Sequence, residues 1–278
     1  MSAETSATVN TARDYYNSAD ADNFYFLIWG GDDIHIGLYA APDEAISAAS
    51  RRTVEHLAVQ LEPISEHARV LDLGSGFGGA ARYLATTYGV QVTAINVSEV
   101  ENERHRQLND QAGLGNRIEV IDGNFENILS DDAQFDVVWS QDALLHSGAR
   151  EQVLREVDRV LRPGGHFIFT DPMQADDCPE GVLQPILDRI HLDSLGSPDF
   201  YRTQALALGW RDLGFSNFTH QLVNHYRRVG EETDKAGADL AGKISAEYIE
   251  RMQKGLGHWV EGGSAGHLAW GVMHFAKA

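Results

Sequence analysis

Positive charge is scarce in this chain: 22 lysines and arginines stand against 41 aspartates and glutamates in 278 residues, a formal net charge of −19. Such a surface repels phosphate backbones and anionic lipid headgroups, so neither nucleic acid nor membrane is expected as a partner. Cysteine is nearly absent. The single Cys178 rules out an internal disulfide and a cysteine-built zinc site, fits a reducing compartment, and leaves no metal site expected. Long apolar runs are missing, and the polar start Met1 to Val9 lacks the charged head and apolar centre of a signal peptide. No internal repeat is visible. These absences describe a soluble, cytoplasmic protein, and the acidity reads as a solvated surface or, more pointedly, as fitness for a cytoplasm rich in salt.

What remains is ample for a core. At 278 residues and 43% hydrophobic, the chain fits one large α/β domain or, the reading we favour, a domain with a substantial cap. Residues 1–10 read as a disordered lead. From Thr11 to Trp29, aromatics recur among acids (Tyr15, Tyr16, Phe24, Tyr25, Phe26, Trp29), as helices lying on something apolar would show, and Gly30-Gly31 ends them. Ala45 to Leu61 reads as an amphipathic helix. Short apolar runs then alternate with helical patterns: Arg69 to Leu73, Gln91 to Ile95, Ile118 to Ile121, Phe135 to Trp139 and His166 to Thr170. This rhythm predicts a doubly wound, mostly parallel sheet with right-handed crossovers.

Beyond the fifth strand, Pro172 to Gly181 reads as a polar loop, with helices around Val182 to Leu195 and Asp199 to Leu213. Phe215 to Leu222 and Leu268 to Phe275 are the expected closing strands, antiparallel at the end of the sheet. Between them Leu240, Ile244, Tyr248, Met252 and Leu256 form an apolar helical stripe, read as a cap that packs on the sheet domain or on another subunit. The expected division is 1–62 as a helical N-terminal lid, 63–222 as the sheet core with acceptor-wall helices, 223–264 as the cap and 265–278 as the closing strand.

The chemistry concentrates after the strands. Val70-Leu71-Asp72-Leu73-Gly74-Ser75-Gly76-Phe77-Gly78-Gly79 ends a strand on an acid and breaks into glycines before a helix, a place where a ligand can lie against bare backbone. Gly74, Gly76 and Gly79 also satisfy G-x-G-x-x-G, so the loop alone does not separate a methyl donor from NAD. Asn96 ends the second strand where a dinucleotide site wants an acid. Asp122-Gly123 leaves the third strand, Ser140-Gln141-Asp142-Ala143-Leu144-Leu145-His146 the fourth, and Thr170-Asp171-Pro172 the fifth.

This ordered set resembles the class I S-adenosylmethionine-dependent methyltransferases, with their Rossmann-like sheet. The resemblance implies that Gly74, Ser75 and Gly76 cradle the methionine part, Asn96, Val97 and Glu101 hold the ribose, Asp122 and the Gly123 backbone read the adenine, and Ile34, His35 and Gln141 complete the donor site. Asp72 stays open between attracting the donor's ammonium and bonding the loop's own amides.

Tyr15-Tyr16-Asn17-Ser18, Ile28-Trp29-Gly30-Gly31-Asp32-Asp33-Ile34-His35-Ile36-Gly37-Leu38-Tyr39, Asp171 to Gly181 and Ser245 to Met252 extend the likeness over nearly the whole chain. They resemble the sarcosine/dimethylglycine N-methyltransferases of halophilic microbes, which complete glycine betaine synthesis. That family implies S-adenosylmethionine as cofactor, a small amine as acceptor (sarcosine, dimethylglycine), and leaves a homodimer open. Phosphoethanolamine methyltransferases are more distant. They pair an acid and a histidine after strand four with an N-terminal tyrosine, which corresponds to Asp142, His146 and Tyr16, with Tyr15 as the alternative one residue away.

The acceptor is an alkylammonium at neutral pH and must lose a proton before its nitrogen can attack. His146 with Tyr16 is the candidate for that step and Asp142 for orientation, against the reading that His146 only bonds Tyr16 to close a lid. Arg189 or Arg202, with Tyr201 on the same wall, is expected to hold the acceptor's carboxylate. Tyr16, Tyr25, Trp139, Tyr201 and Trp270 are aromatic candidates for a methylated ammonium. Three activities compete: this N-methyl transfer, transfer to glycine or a phosphorylated amine, and a donor-binding module that has lost chemistry.

Overall fold

The structure is a computed structural model that describes residues 7–278. Residues 1–6 of the expected N-terminal lead lie outside the described residues, and Ala7 to Asn10 already belong to a helix, α1 (Ala7–Tyr16). A short α2 (Ala19–Phe24) follows, capped by the Ser18 hydroxyl, and widens into a π-turn over Tyr25–Trp29 that stops at Gly30. Helix α3 (Ile46–Val59) precedes the alternating core.

That core runs β1 (Arg69–Leu73), α4 (Gly79–Tyr88), β2 (Gln91–Asn96), α5 (Glu99–Gln111), β3 (Ile118–Asp122), β4 (Phe135–Gln141), α6 (Arg150–Val160) and β5 (Leu161–Thr170). After it come β6 (Met173–Gln174), α7 (Gln184–Ile190), α8 (Pro198–Ala207), β7 (Arg211–Asn217), α9 (Thr219–Leu240), α10 (Ala246–Ser264), β8 (Leu268–Ala269) and β9 (Gly271–Ala276). The seven-stranded sheet has the order β3-β2-β1-β4-β5-β9-β7, parallel through β5 and antiparallel at β9 and β7.

Alternation along each strand sends its apolar residues to two cores. Val70, Val92, Val137 and Ile168 meet α3 and α4 through Val54, Leu57, Ala81 and Leu84. Leu71, Val138, Phe167 and Phe169 meet α6 and α8 through Val153, Val157, Tyr201 and Ala205. Because both faces are covered, the carboxyl ends of β1 to β4 remain as the open edge where a ligand can enter. Among the described residues no helix is long and apolar enough to cross a membrane.

Four boundaries differ from those expected. The helix expected over Asp199 to Leu213 ends at Ala207, and Arg211 to Leu213 open β7; the Gly209 left-handed turn is the break. Residues 219–222, expected in a strand, start α9, because Asn217 Oδ1 accepts from both the amide and the hydroxyl of Thr219. That helix therefore spans the expected boundary between residues 222 and 223. Met173-Gln174, expected in a loop, pairs with β8 in a two-stranded ribbon. Finally, the apolar stripe is not one helix. Leu240 ends α9, Ile244 lies in the turn, and Tyr248, Met252 and Leu256 are on α10. The stripe packs on Ala21, Phe24, Ile28 and Trp29 of the N-terminal helices of the same chain.

Candidate active site

A strap, residues 30–39, runs without regular structure between the N-terminal helices and the core, so its backbone groups must find side-chain partners. They come from three directions. Asp142 Oδ2 accepts from the Ile36 amide at 2.6 Å, His225 Nδ1 of α9 from the Gly37 amide at 3.1 Å, and Gln221 Oε1 from the Tyr39 amide at 3.0 Å. From α3, Thr53 serves Leu38 and Ile36, and Ser50 donates to the His35 carbonyl. Asp142 also takes the Trp270 indole N–H at 2.7 Å on its other oxygen, while its own backbone sits at φ 52°. With both oxygens occupied, Asp142 fixes the wall between strap and sheet. Burial pushes its carboxyl above the usual range, with His35 the main opposing influence.

Below the strap, the turn after β1 is open because its glycines carry no side chain. A Cβ on Gly74, whose φ is +72°, would stand 2.3 Å from the Ala143 Cβ. The cavity over this turn is lined by Ile34, His35, Asp72, Gly74, Ser75, Gly76, Asn96, Val97, Glu101, Gln141, Asp142, His146 and Tyr16, with Asp33, Asn124 and Phe125. Six residues of this one cavity each hold a buried polar atom without a hydrogen-bond partner among the described residues: Asp33 Oδ1, His35 Nε2, Asp72 Oδ2, Ser75 Oγ, Glu101 Oε1 and Gln141 Nε2. A buried polar atom left unpaired costs about 1–3 kcal/mol, so a cluster of them calls for a ligand rich in donors, and its acids call for positive charge. Burial raises both Asp72 and Glu101 to about 7. Glu101 takes only the Asn96 amide, at 2.8 Å, on its other oxygen.

A second cavity, about 460 Å³, shares Ala12, Tyr16, Ile34, His35, Asp142 and His146 with the first. Its farther walls are Tyr15, Tyr25, Trp29, Tyr226 and Trp259, with Arg189, Arg251 and Pro172. The Arg189 guanidinium donates to the Met252 sulfur at 2.7 Å and forms no ion pair among those found in the described residues. At the junction, the Tyr16 hydroxyl and His146 Nε2 lie 2.9 Å apart. Burial, then Arg150 and Arg189, lower His146 to about 4, and burial first raises Tyr16 well above its ordinary range; both are neutral at pH 7.

Four expected residues stand elsewhere. Arg202 is tied on the surface to Asp199 at 2.5 Å and Asp212 at 2.9 Å, so its charge is spent away from the cavity. Tyr201 is buried under β5 with its hydroxyl on Asp171 at 2.8 Å. Asp122 points outward to Arg106, at 3.1 Å, and accepts from Asn102 at 2.7 Å, and neither it nor Gly123 lines the cavity; Asn124 and Phe125 stand there in their place. Of the aromatic candidates, Trp139 is in the core and Trp270 serves Asp142, which leaves Tyr16 and Tyr25 at the cavity. The sequence reading missed Trp29, Tyr226, Trp259 and Arg251 as wall residues; the helical spacing of the last two reads equally as core or surface.

The methyltransferase domain family matches residues 71–169. A sarcosine/dimethylglycine N-methyltransferase of Halorhodospira halochloris is 58% identical over 97% of this chain and 96% of its own length. Another, of Aphanothece halophytica, is 51% identical over 98% of each. The chain belongs to the sarcosine/dimethylglycine N-methyltransferase family. A crystal structure from Galdieria sulphuraria, of a protein proposed to be a sarcosine dimethylglycine methyltransferase, superposes with a TM-score of 0.90 at 43% identity, covering 95% of this chain and 99% of that one. This chain is an S-adenosylmethionine-dependent N-methyltransferase, and the unpaired acids of the first cavity fit a donor that carries an ammonium, a sulfonium and ribose hydroxyls.

Proposed function

We propose that the chain methylates the nitrogen of sarcosine and then of dimethylglycine, producing glycine betaine in a salt-rich cytoplasm. The observation that carries the substrate class is Arg189, a guanidinium facing the second cavity without a carboxylate partner among the described residues, in a protein with nearly two acids for each base. An amino-acid carboxylate supplies that partner, and the planar fork can take both of its oxygens. Tyr25, Trp29, Tyr226 and Trp259 offer ring faces to the methylated ammonium at the other end of the same molecule.

Bound S-adenosylmethionine supplies an electrophilic methyl group on a sulfonium. The chain's part is to hold the two molecules in line, which contributes up to about 7–11 kcal/mol in well-oriented reactions. Gly74 to Gly76 give the donor backbone contact, Glu101 with Asn96 offers oxygen and nitrogen to the ribose, and Asp72 faces the ammonium. Asp142 keeps the strap against the sheet, and the contact between Tyr16 and His146 closes α1 over the junction of the cavities.

The deciding experiment incubates the purified protein with methyl-labelled donor and, separately, sarcosine, dimethylglycine, glycine and phosphoethanolamine. Label is expected in dimethylglycine and betaine from the first two. Methylation confined to a carboxylate-free amine overturns the assignment of Arg189 and the betaine reading together.

A further inference from the structure

The acceptor nitrogen must shed a proton, yet the paired groups at the junction are poorly placed to take it. Both oxygens of Asp142 accept hydrogen bonds, and His146 Nε2 is engaged with Tyr16. His35 differs. It is 7% exposed and lines both cavities. Its Nδ1 lies 3.2 Å from the Ile36 carbonyl, which can only accept, so Nδ1 carries the hydrogen and Nε2 carries the lone pair. Nε2 is buried and has no hydrogen-bond partner among the described residues. Its nearest charged neighbour is Asp33 Oδ1 at 3.8 Å, from the same strap.

We infer that His35 Nε2 is the proton acceptor that frees the amine nitrogen for methylation. This rests on the proposed acceptors being the substrates. The N–H bond of the ammonium breaks and its electron pair stays on nitrogen, while the proton joins the Nε2 lone pair. The freed pair forms the new N–C bond as the S–C bond of the donor breaks, its electrons remaining on sulfur. His35 then returns the proton to water when product leaves. The acids facing it are Asp33 from the strap, Asp72 from β1 and Asp142 after β4. The opposing groups are Arg51 of α3, already paired with Asp33 at 2.9 Å, and His225 of α9, which burial keeps neutral.

The test compares wild type with His35→Asn, whose amide preserves a donor near the Nδ1 position, and with His35→Gln. General-base catalysis is worth about 10²–10⁴-fold, so kcat for dimethylglycine at pH 7.5 should fall at least about a hundredfold in both variants. The loss should shrink as pH approaches the amine's own pKa, while calorimetric affinity for S-adenosylhomocysteine, whose cavity His35 also lines, falls by no more than about tenfold, the share of one hydrogen bond. Nitrogen-15 NMR of the wild type should find His35 protonated at Nδ1 and bare at Nε2. Retained turnover with an unaltered pH profile overturns the inference, as does an Nε2-protonated tautomer. Loss of donor-product binding in both variants overturns it too, because His35 would then be a structural residue. If wild type itself leaves sarcosine and dimethylglycine unmethylated, the substrate reading has failed instead.

Discussion

The two cavities meet at six residues but are built in opposite ways. The first cavity is made largely of the ends of β1, β2 and β4 and the turns that follow them, elements adjacent in the sheet and locked by parallel pairing. The second cavity gathers Tyr15 from α1, Trp29 from the π-turn, Arg189 from α7, Tyr226 from α9 and Trp259 from α10, segments separated by up to 244 residues in number. One half is a local code, in which a strand that stops on Asp72 and turns on glycine dictates what lies above it. The other is a product of tertiary convergence, in which no segment shows its role alone. The first half should therefore break at single backbone positions and the second at single charges.

The largest effect is expected at the donor turn. Gly74→Val places branched carbons against Ala143 at a positive φ, so the turn must move away from the donor's backbone contacts. Affinity for S-adenosylhomocysteine should fall more than about a hundredfold, the scale set by losing two or more hydrogen bonds of about 1–1.5 kcal/mol each. Calorimetry checks it. Binding within tenfold of wild type would show that the turn is not the donor's cradle.

Next comes the acceptor charge. Arg189→Ala should raise the apparent KM for dimethylglycine about thirtyfold or more, the lower end of what truncating one partner of a buried charge pair costs, and spare donor affinity. Gly255→Ala is the gentler version: a Cβ there would lie 2.2 Å from Arg189 Nε, so the guanidinium must swing aside. If both variants use dimethylglycine normally, the exposed Arg251 is the next carboxylate holder to replace.

This contrast also sets how far the sequence could be read. The five core strands are recognisable because each is a short apolar run punctuated by turn residues, and most of the strand-end residues that line the first cavity follow at fixed offsets from their ends. Asp122 fails that rule: Asn102 and Arg106 of α5 draw its carboxylate outward, and pairing between a strand end and a later helix leaves no periodic mark. Arg189 and Arg202 look alike in sequence. Asp199 and Asp212 happen to neutralise one, while α10 turns the other toward the cavity. The strap is legible only as a motif, since its order depends on partners as distant as Gln221 and His225.

The donor half should carry a pH response of its own. Burial holds Asp72 near 7 in the folded chain against an ordinary value of 3.8. The folded state thus keeps a proton that the unfolded chain gives up, and stability without donor declines as pH rises from about 4 to about 7. A donor ammonium needs the ionised carboxylate, so donor affinity should rise roughly tenfold per pH unit up to 7 and then level. Calorimetry with S-adenosylhomocysteine from pH 5.5 to 8.5 measures the slope, and Asp72→Asn should flatten it. A flat wild-type profile would mean that Asp72 bonds the loop amides.

The smallest effect is expected where the two halves are latched together. Tyr16→Phe removes the 2.9 Å contact with His146 but keeps the ring against Tyr15 and Tyr25. A neutral hydrogen bond contributes about 1 kcal/mol, so kcat/KM should fall about fivefold, shared between donor and acceptor because the lid covers both. The effect should also be constant from pH 5.5 to 9. His146 lies near 4 and Tyr16 well above 10, so neither partner changes charge in that window, and His146→Gln should likewise lower the rate without moving the profile. Steady-state kinetics over that range discriminates the latch from the base. A His146→Gln variant whose acid limb disappears would place the proton on His146 instead of His35, and would make the junction part of the chemistry instead of the hinge between two differently coded halves.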